Sequence, residues 1–299
     1  MSSVVAVPVR QRSALTLIVA GVLWGTGGLA GSILAARADL HPFSVAAYRL
    51  LIGGACVVLF LALSGGLRGF RCTRPVVRRL GVAGALLGMF QACYFAAVAL
   101  SSVSIATMTT IGSVPVFVAF ASAVRDRRLP GTATVVSIGA AIAGLVLLRW
   151  SPDGTGGGWR LAGGVAFALL AGGGFATLTL ATRRPVEGLD PVRTTAFGLL
   201  VGGLLLLPVA LWFGMALPSR FDVLAVALYL GLVPTAVAYG AYFRGLRDAQ
   251  PVLAALSALL EPLTAALLSA ALLGERLGVP GWCGAALLVS ALAVSYWRR

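Results

Sequence analysis

The chain has 299 residues, of which 59% are hydrophobic and only 11% are charged, and its mean hydropathy is +0.98. A soluble domain carries about 25% charged residues, so this composition excludes a water-soluble globular fold. The hydrophobic side chains must face lipid instead. A membrane-spanning helix needs roughly 20 mainly apolar residues, so ten such helices would use about 200 positions and leave only short connections.

The formal net charge is +14, and all 23 basic residues are arginines. This excess does not indicate nucleic-acid binding, because the arginines lie mostly in short gaps between apolar stretches and not on one basic domain. If the N-terminus is cytoplasmic, 17 arginines fall on the cytoplasmic side and five on the other, while Arg49 lies within a helix. Since cytoplasmic loops carry the excess of basic residues, we expect both termini in the cytoplasm.

Ten apolar stretches, separated by short polar or Gly/Pro-rich breaks, predict ten transmembrane helices and an all-α integral membrane fold. They cover about residues 14–36, 43–63, 80–100, 103–123, 131–148, 161–182, 191–213, 222–243, 251–273 and 280–297. The first stretch has about 23 apolar residues, which exceeds the apolar core of a signal peptide, so we interpret it as a retained anchor.

The two halves of the chain resemble each other. Residues 42–54 align without gaps on residues 191–203 at an offset of 149, and Val114-Pro115-Val116 aligns on Glu261-Pro262-Leu263 at an offset of 147. We therefore divide the chain into a first five-helix repeat, 1–150, and a second, 151–299. Because five is odd, the second repeat enters the membrane the opposite way up, and inverted repeats are typical of carriers that work by alternating access.

Several segments of the chain together form a sequence pattern of glycine, proline, charged and aromatic residues at set places in apolar helices. It resembles the EamA-type signature of the drug/metabolite transporter superfamily at Leu259–Leu268, Leu273-Gly274-Glu275-Arg276-Leu277, Trp282, Gly284-Ala285-Ala286, Tyr48-Arg49-Leu50-Leu51 and Leu23-Trp24-Gly25. The resemblance implies a ten-helix inner-membrane exporter of small metabolites or drugs that does not hydrolyse nucleotides. The first half departs from the pattern, because Arg127-Arg128-Leu129 stands where the family usually has Glu-Arg-Leu. By length and aromatic placement, the chain is most similar to bacterial exporters of aromatic and other neutral amino acids.

Glu261 is the one acid that we place deep in the membrane, about midway along the ninth helix, where a carboxylate is costly and indicates function. It is either a protonatable coupling group or a partner for a substrate ammonium. The structural alternative is that it binds backbone groups freed by Pro262 or pairs with Arg49. Arg49 in turn either clamps a substrate carboxylate or has a structural or gating role, and the second interpretation is favoured.

Polar-tipped and aromatic side chains recur at helical spacing on the third and eighth helices, which puts them on shared faces. With an aromatic residue of the first helix they predict a solute-binding site: Trp24, Gln91, Tyr94, Phe95, Tyr239 and Tyr242. The alternative for each is ordinary packing or an interfacial aromatic belt. Pro115, Pro234 and Pro262 lie within predicted helices and are candidate hinges.

No metal site, cofactor or enzyme activity is expected. Cys56, Cys72, Cys93 and Cys283 are far apart without a C-x-x-C pair, His41 is the only histidine, and no nucleophile has a matching base.

The leading hypothesis is a bacterial inner-membrane secondary transporter that exports small neutral metabolites by alternating access. The predicted substrates are aromatic amino acids, methionine and threonine, with cationic drugs as a further class. The alternative is a multidrug carrier, or a carrier of lipid-linked or sugar-conjugated solutes, from the same superfamily. We expect the chain to contact lipid but no nucleic acid, and to function as a monomer because both repeats are in one chain.

Overall fold

The computed structural model describes residues 9–101, 103–148, 158–215, 220–272 and 278–297. They form helices almost throughout, and the predicted all-α fold is confirmed. The helices are α1 (Val9–Ala38), α2 (Pro42–Leu63), α3 (Arg74–Leu100), α4 (Val103–Asp126), α5 (Thr132–Leu148), α6 (Trp159–Arg183), α7 (Pro191–Trp212), α8 (Phe221–Gly231), a π-helical segment (Leu232–Val237), α9 (Ala238–Asp248), α10 (Pro251–Ser257), α11 (Leu260–Leu272) and α12 (Val279–Trp297).

These helices correspond to the ten predicted stretches. The eighth predicted helix is α8, the π-helical segment and α9 in continuous succession, and the ninth is α10 followed by α11. In the described part of the chain, eight helical stretches are long and apolar enough to cross a membrane, and α5 and α12 contain two shorter apolar ones. Large apolar side chains such as Leu63, Phe120 and Trp212 are exposed on the outer surface. The protein is therefore a multi-pass membrane protein.

The third helix begins earlier than predicted, at Arg74 instead of about residue 80. Pro75 occupies its first turn, where the fixed φ of proline suits a helix start and its missing N–H costs nothing. The apolar pattern alone misses this turn, because its arginines are polar.

The π-helical segment follows from Pro234. Proline has no N–H, so the Leu230 carbonyl four residues earlier lacks its α-helical donor. Thr235 replaces that donor, because its Oγ1 donates to the Leu230 carbonyl across 2.7 Å. A side-chain hydrogen bond thus helps to stabilise the widened turn.

The break between α10 and α11 has a similar cause. Pro262 cannot donate to the Ala258 carbonyl, which instead accepts from the Glu261 N–H across 3.0 Å. The chain turns at Ala258 and Leu259, so Glu261 lies in the first turn of α11 and not in the middle of an unbroken helix.

The helix packing is reciprocal between the two halves. Helix α3 packs on α6, as α9 packs on α1, and α4 packs on α6, as α11 packs on α1. The pairs α2 with α7 and α5 with α12 each join a helix to its own counterpart. Exchanging each helix for its counterpart five spans later leaves this pattern unchanged.

The closest approaches between the backbones of facing helices show the same reciprocity. A Cβ on Gly54 would lie 2.7 Å from the Leu200 nitrogen, and a Cβ on Gly203 would lie 3.0 Å from the Leu51 nitrogen. Gly203 stands 149 positions after Gly54, and Leu200 stands 149 positions after Leu51. Only glycine permits this separation at either position, since any Cβ would overlap the facing backbone.

Candidate functional site

Four aromatic side chains from three helices meet in the centre of the bundle. The Trp24 ring centroid of α1 lies 5.7 Å from that of Phe175 on α6, 5.2 Å from Tyr239 and 5.1 Å from Tyr242, both on α9. Phe175 also lies 5.5 Å from Tyr242. We call these four residues the aromatic cluster. All are buried, so the predicted residues Trp24, Tyr239 and Tyr242 share one site.

Helix α3 extends this cluster through a residue that the sequence analysis did not name. The Phe90 ring lies 5.2 Å from Phe175 and 6.3 Å from Tyr94, and Tyr94 lies 5.1 Å from Phe95. Tyr94 and Phe95 are only partly buried. The Tyr94 hydroxyl is 2.7 Å from Thr107 Oγ1 on α4, and this hydrogen bond holds the polar end of the Tyr94 side chain.

Two buried N–H donors, one on α1 and one on α3, have no hydrogen-bond partner within the described residues. They are Trp24 Nε1 and Gln91 Nε2, and the parent side chains are 5% and 1% exposed. By contrast, the Tyr242 hydroxyl lies 2.6 Å from Thr179 Oγ1, which donates to the Phe175 carbonyl. Since buried polar groups are normally paired, each unpartnered donor requires an explanation.

Charged side chains lie beside the aromatic cluster. Arg49 interacts electrostatically with Glu261 and Tyr239, and Glu261 does so with Tyr94 and Tyr239. Both charged side chains are partly buried. Over the ranges that the structure describes, no ion pair within 4.0 Å joins Arg49 to Glu261. Among the described residues, none donates a hydrogen bond to the Glu261 carboxylate.

Arg49 has a different direct partner. Its Nε atom donates to Thr235 Oγ1 across 3.4 Å, which attaches α2 to the π-helical segment. A Cβ on Gly27 would lie 3.1 Å from Pro234 and 3.9 Å from an Arg49 terminal nitrogen. The guanidinium therefore lies between α1, α2 and the π-helical segment.

The three candidate hinge prolines occupy different settings. Pro234 lies in the π-helical segment and Pro262 follows the break between α10 and α11, whereas Pro115 lies inside an uninterrupted α4. Two of the three thus coincide with a departure from regular α-helix. Their movement stays a prediction.

Phe175 and Thr179 are site residues that the sequence analysis missed. Phe175 stands 151 positions after Trp24, and the triplets Trp24-Gly25-Thr26 and Phe175-Ala176-Thr177 match in type. Extending the repeat alignment to the first and sixth helices would have identified Phe175. Thr179 carries no such signal.

The EamA-like transporter family matches the chain twice, over residues 11–150 and over residues 162–297. The chain belongs to the EamA-like transporter family. Membership makes it a membrane transporter of the drug/metabolite superfamily. Among the described residues, no group of three or more His, Cys, Asp or Glu side chains forms a metal site.

Relatives within this family span nearly the whole chain. The "Uncharacterized transporter YwfM" of Bacillus subtilis is 29% identical over 94% of this chain and 92% of its own length. The "Uncharacterized inner membrane transporter YicL" of Salmonella typhimurium is 25% identical over 94% of each chain. One solved crystal structure is 24% identical, covers 95% of this chain and 96% of its own, and has a TM-score of 0.79, which shows the same fold.

Proposed function

We propose that this EamA-like transporter exports small neutral solutes across the bacterial inner membrane, and that its principal substrates are amino acids such as phenylalanine, methionine and threonine. The observation that carries the proposal is the buried aromatic cluster, whose Trp24 N–H is unpartnered, as is the buried Gln91 side-chain N–H on α3, together with the nearby Glu261 carboxylate. Export is the direction that fits the family resemblance of the sequence. The relative named an inner-membrane transporter supports the location.

The chemistry of the site suits a zwitterion with an apolar side chain. Aromatic rings provide an apolar surface on which a side chain such as that of phenylalanine can stack. Trp24 Nε1 and Gln91 Nε2 can only donate, so they match the carboxylate of an amino acid. Glu261 can only accept when ionised, so it matches the ammonium. The solute would satisfy the groups that the protein leaves unpartnered.

Reciprocal packing supports a mechanism of alternating access through two inverted repeats, residues 1–150 and 151–299. The contact of Gly54 with Leu200 has its counterpart in that of Gly203 with Leu51. A Cβ on Gly231 would lie 3.0 Å from the Gly53 nitrogen. The counterpart of this contact joins Gly84 to Gly202, where a Cβ on Gly84 would lie 3.1 Å from the Gly202 nitrogen. Two related bundles that meet in this way can exchange conformations about a central site.

The π-helical segment and the break before α11 are the places where the helices would bend in this mechanism. Irregular backbone at membrane depth is tolerated only against protein or a water-lined cavity, and both irregularities lie next to α1 and the charged residues. We assign Pro234 and Pro262 as hinges and Pro115 as their counterpart in the first repeat. Glu261 would couple solute exit to proton entry by binding either a proton or the substrate ammonium.

The arginine distribution supports cytoplasmic termini, since 17 arginines fall on that side and five on the other. Both repeats lie in one chain, so a monomer suffices for a complete transport path.

Ligand-induced thermal stabilisation of the detergent-purified protein tests the substrate class. We expect phenylalanine, methionine and threonine to raise the unfolding temperature in a saturable way, because a ligand that binds only the folded state stabilises it. Trp24→Ala should abolish this effect. Stabilisation by a sugar phosphate or a lipid-linked sugar, with none by any amino acid, would instead support a carrier of conjugates.

A further inference from the structure

A groove opens on the lipid-facing surface between the second half of α4 and the start of α5. It is open to the surface, has a volume of about 500 Å³ and is lined by apolar side chains, including Val116, Phe120, Val124 and Val135. Phe120 is 67% exposed, so the groove presents a large unpartnered ring. The groove exists because α4 packs mainly on α6 whereas α5 packs mainly on α12.

The length of the groove matches one leaflet of a bilayer. Val116 and Asp126 are ten residues apart on α4, which corresponds to about 15 Å along the helix axis. The hydrocarbon core of a membrane is about 30 Å thick, so the groove extends from the end of α4 to about the bilayer midplane. An acyl chain of one phospholipid has this extent.

Two cations stand at the polar end of the groove. Arg127 and Arg128 line it, and none of the described lining residues is acidic. In the part of the chain that the structure describes, neither guanidinium has an ion-pair partner within 4.0 Å. The neighbouring Asp126 pairs with Arg125 at 2.9 Å, and it also interacts electrostatically with Arg128 and Arg183. The local charge is strongly positive.

The second half of the chain lacks this pair of cations. At an offset of 148, Arg127 and Arg128 align on Glu275 and Arg276, so the second half has an acid and a base where the first has two bases. Arg127 also has φ of 50°, a left-handed conformation that favours glycine. Glycine would suit the backbone at this position better, but it would not supply the positive charge that Arg127 supplies.

We propose that the groove binds one anionic phospholipid, with the phosphate between Arg127 and Arg128 and an acyl chain along Phe120 and Val116. The charge of the headgroup complements the two guanidinium groups, and the apolar wall accommodates the chain. The lipid site is separate from the aromatic cluster and does not depend on the identity of the transported solute.

Native mass spectrometry of the detergent-purified full chain tests this site with dioleoylphosphatidylglycerol and dioleoylphosphatidylcholine as probes. We expect one phosphatidylglycerol to bind the wild type well above phosphatidylcholine. R127Q/R128Q should lower phosphatidylglycerol affinity about 30-fold, to the level of phosphatidylcholine. The control R71Q/R74Q removes the same charge from exposed positions before and at the start of α3 and should bind like the wild type.

Val135→Trp should fill the groove and weaken phosphatidylglycerol binding while both arginines remain. Arg127→Gly relieves the left-handed backbone and removes one charge, so it should fold well and lose phosphatidylglycerol affinity about fivefold. Equal binding of the two lipids by the wild type would overturn the proposal. So would undiminished phosphatidylglycerol binding by R127Q/R128Q, Arg127→Gly or Val135→Trp.

Discussion

Arg49 and Thr235 are joined by a hydrogen bond of 3.4 Å, and through it a charged side chain of α2 stabilises the irregular turn that Pro234 creates. The Thr235 hydroxyl accepts from Arg49 and donates to the Leu230 carbonyl, so one hydroxyl serves both groups. This contact favours a structural or gating role for Arg49. A substrate carboxylate would have to compete with Thr235 for its Nε atom.

Thr235→Val tests this arrangement. The variant keeps the shape of the side chain but removes the hydroxyl that donates to the Leu230 carbonyl and accepts from Arg49, which should cost about 1 kcal/mol of stability. Thr235→Ser keeps the hydroxyl and should unfold close to the wild-type temperature in detergent. Equal unfolding temperatures for Thr235→Val and Thr235→Ser would show that the hydroxyl does not support the turn.

Gly54→Ala and Gly203→Ala should be destabilising to a similar degree. Each new Cβ would overlap backbone of the facing helix, which should cost about 1–3 kcal/mol through overpacking. Gly81→Ala in α3 is the matched control, because a Cβ there meets nothing within 4 Å. Thermal unfolding of the three variants measures the effect. If one interface glycine tolerates alanine and the other does not, the two contacts are not equivalent.

Gln91→Met should separate solute binding from folding. Gln91 Nε2 has no partner among the described residues, so its removal should leave stability unchanged or raise it. The affinity for an amino acid should fall by about 1–3 kcal/mol, because its carboxylate loses a donor. Isothermal titration and thermal unfolding measure the two quantities. Tyr242→Phe is the control, since loss of its hydrogen bond to Thr179 should lower stability. Reduced stability of Gln91→Met with unchanged affinity would contradict a binding role.

The positions of the helices could be predicted because most of the apolar stretches are long enough to span a membrane, and because arginine, glycine, proline or, between α3 and α4, serine separates them. The irregular turns at Pro234 and Pro262 could not be predicted. Pro234 and Pro262 each remove a backbone donor, but the result depends on what replaces it: the Thr235 hydroxyl in one case and the Glu261 N–H in the other. One proline therefore produces a π-helical segment and the other a break, and no local pattern distinguishes them.

The aromatic site was predictable only in part. Trp24, Tyr239 and Tyr242 were identifiable because polar-tipped aromatic residues are conspicuous on helices that cross a membrane. Phe175 is an apolar residue in an apolar helix, and only its alignment with Trp24, not its immediate sequence, marks it as a residue of the centre. Its position depends on the packing of α6 against α3 and α4, which is a long-range property of the fold.

Counterflow in proteoliposomes is the most direct measurement of transport by alternating access. Vesicles loaded with unlabelled phenylalanine should accumulate labelled phenylalanine transiently, and the initial rate should saturate. Glu261→Gln should retain this exchange but lose accumulation driven by a pH gradient, because the amide cannot bind and release a proton. Absence of counterflow with phenylalanine, methionine and threonine alike would contradict amino-acid exchange, and pH-driven accumulation by Glu261→Gln equal to that of the wild type would contradict coupling through Glu261.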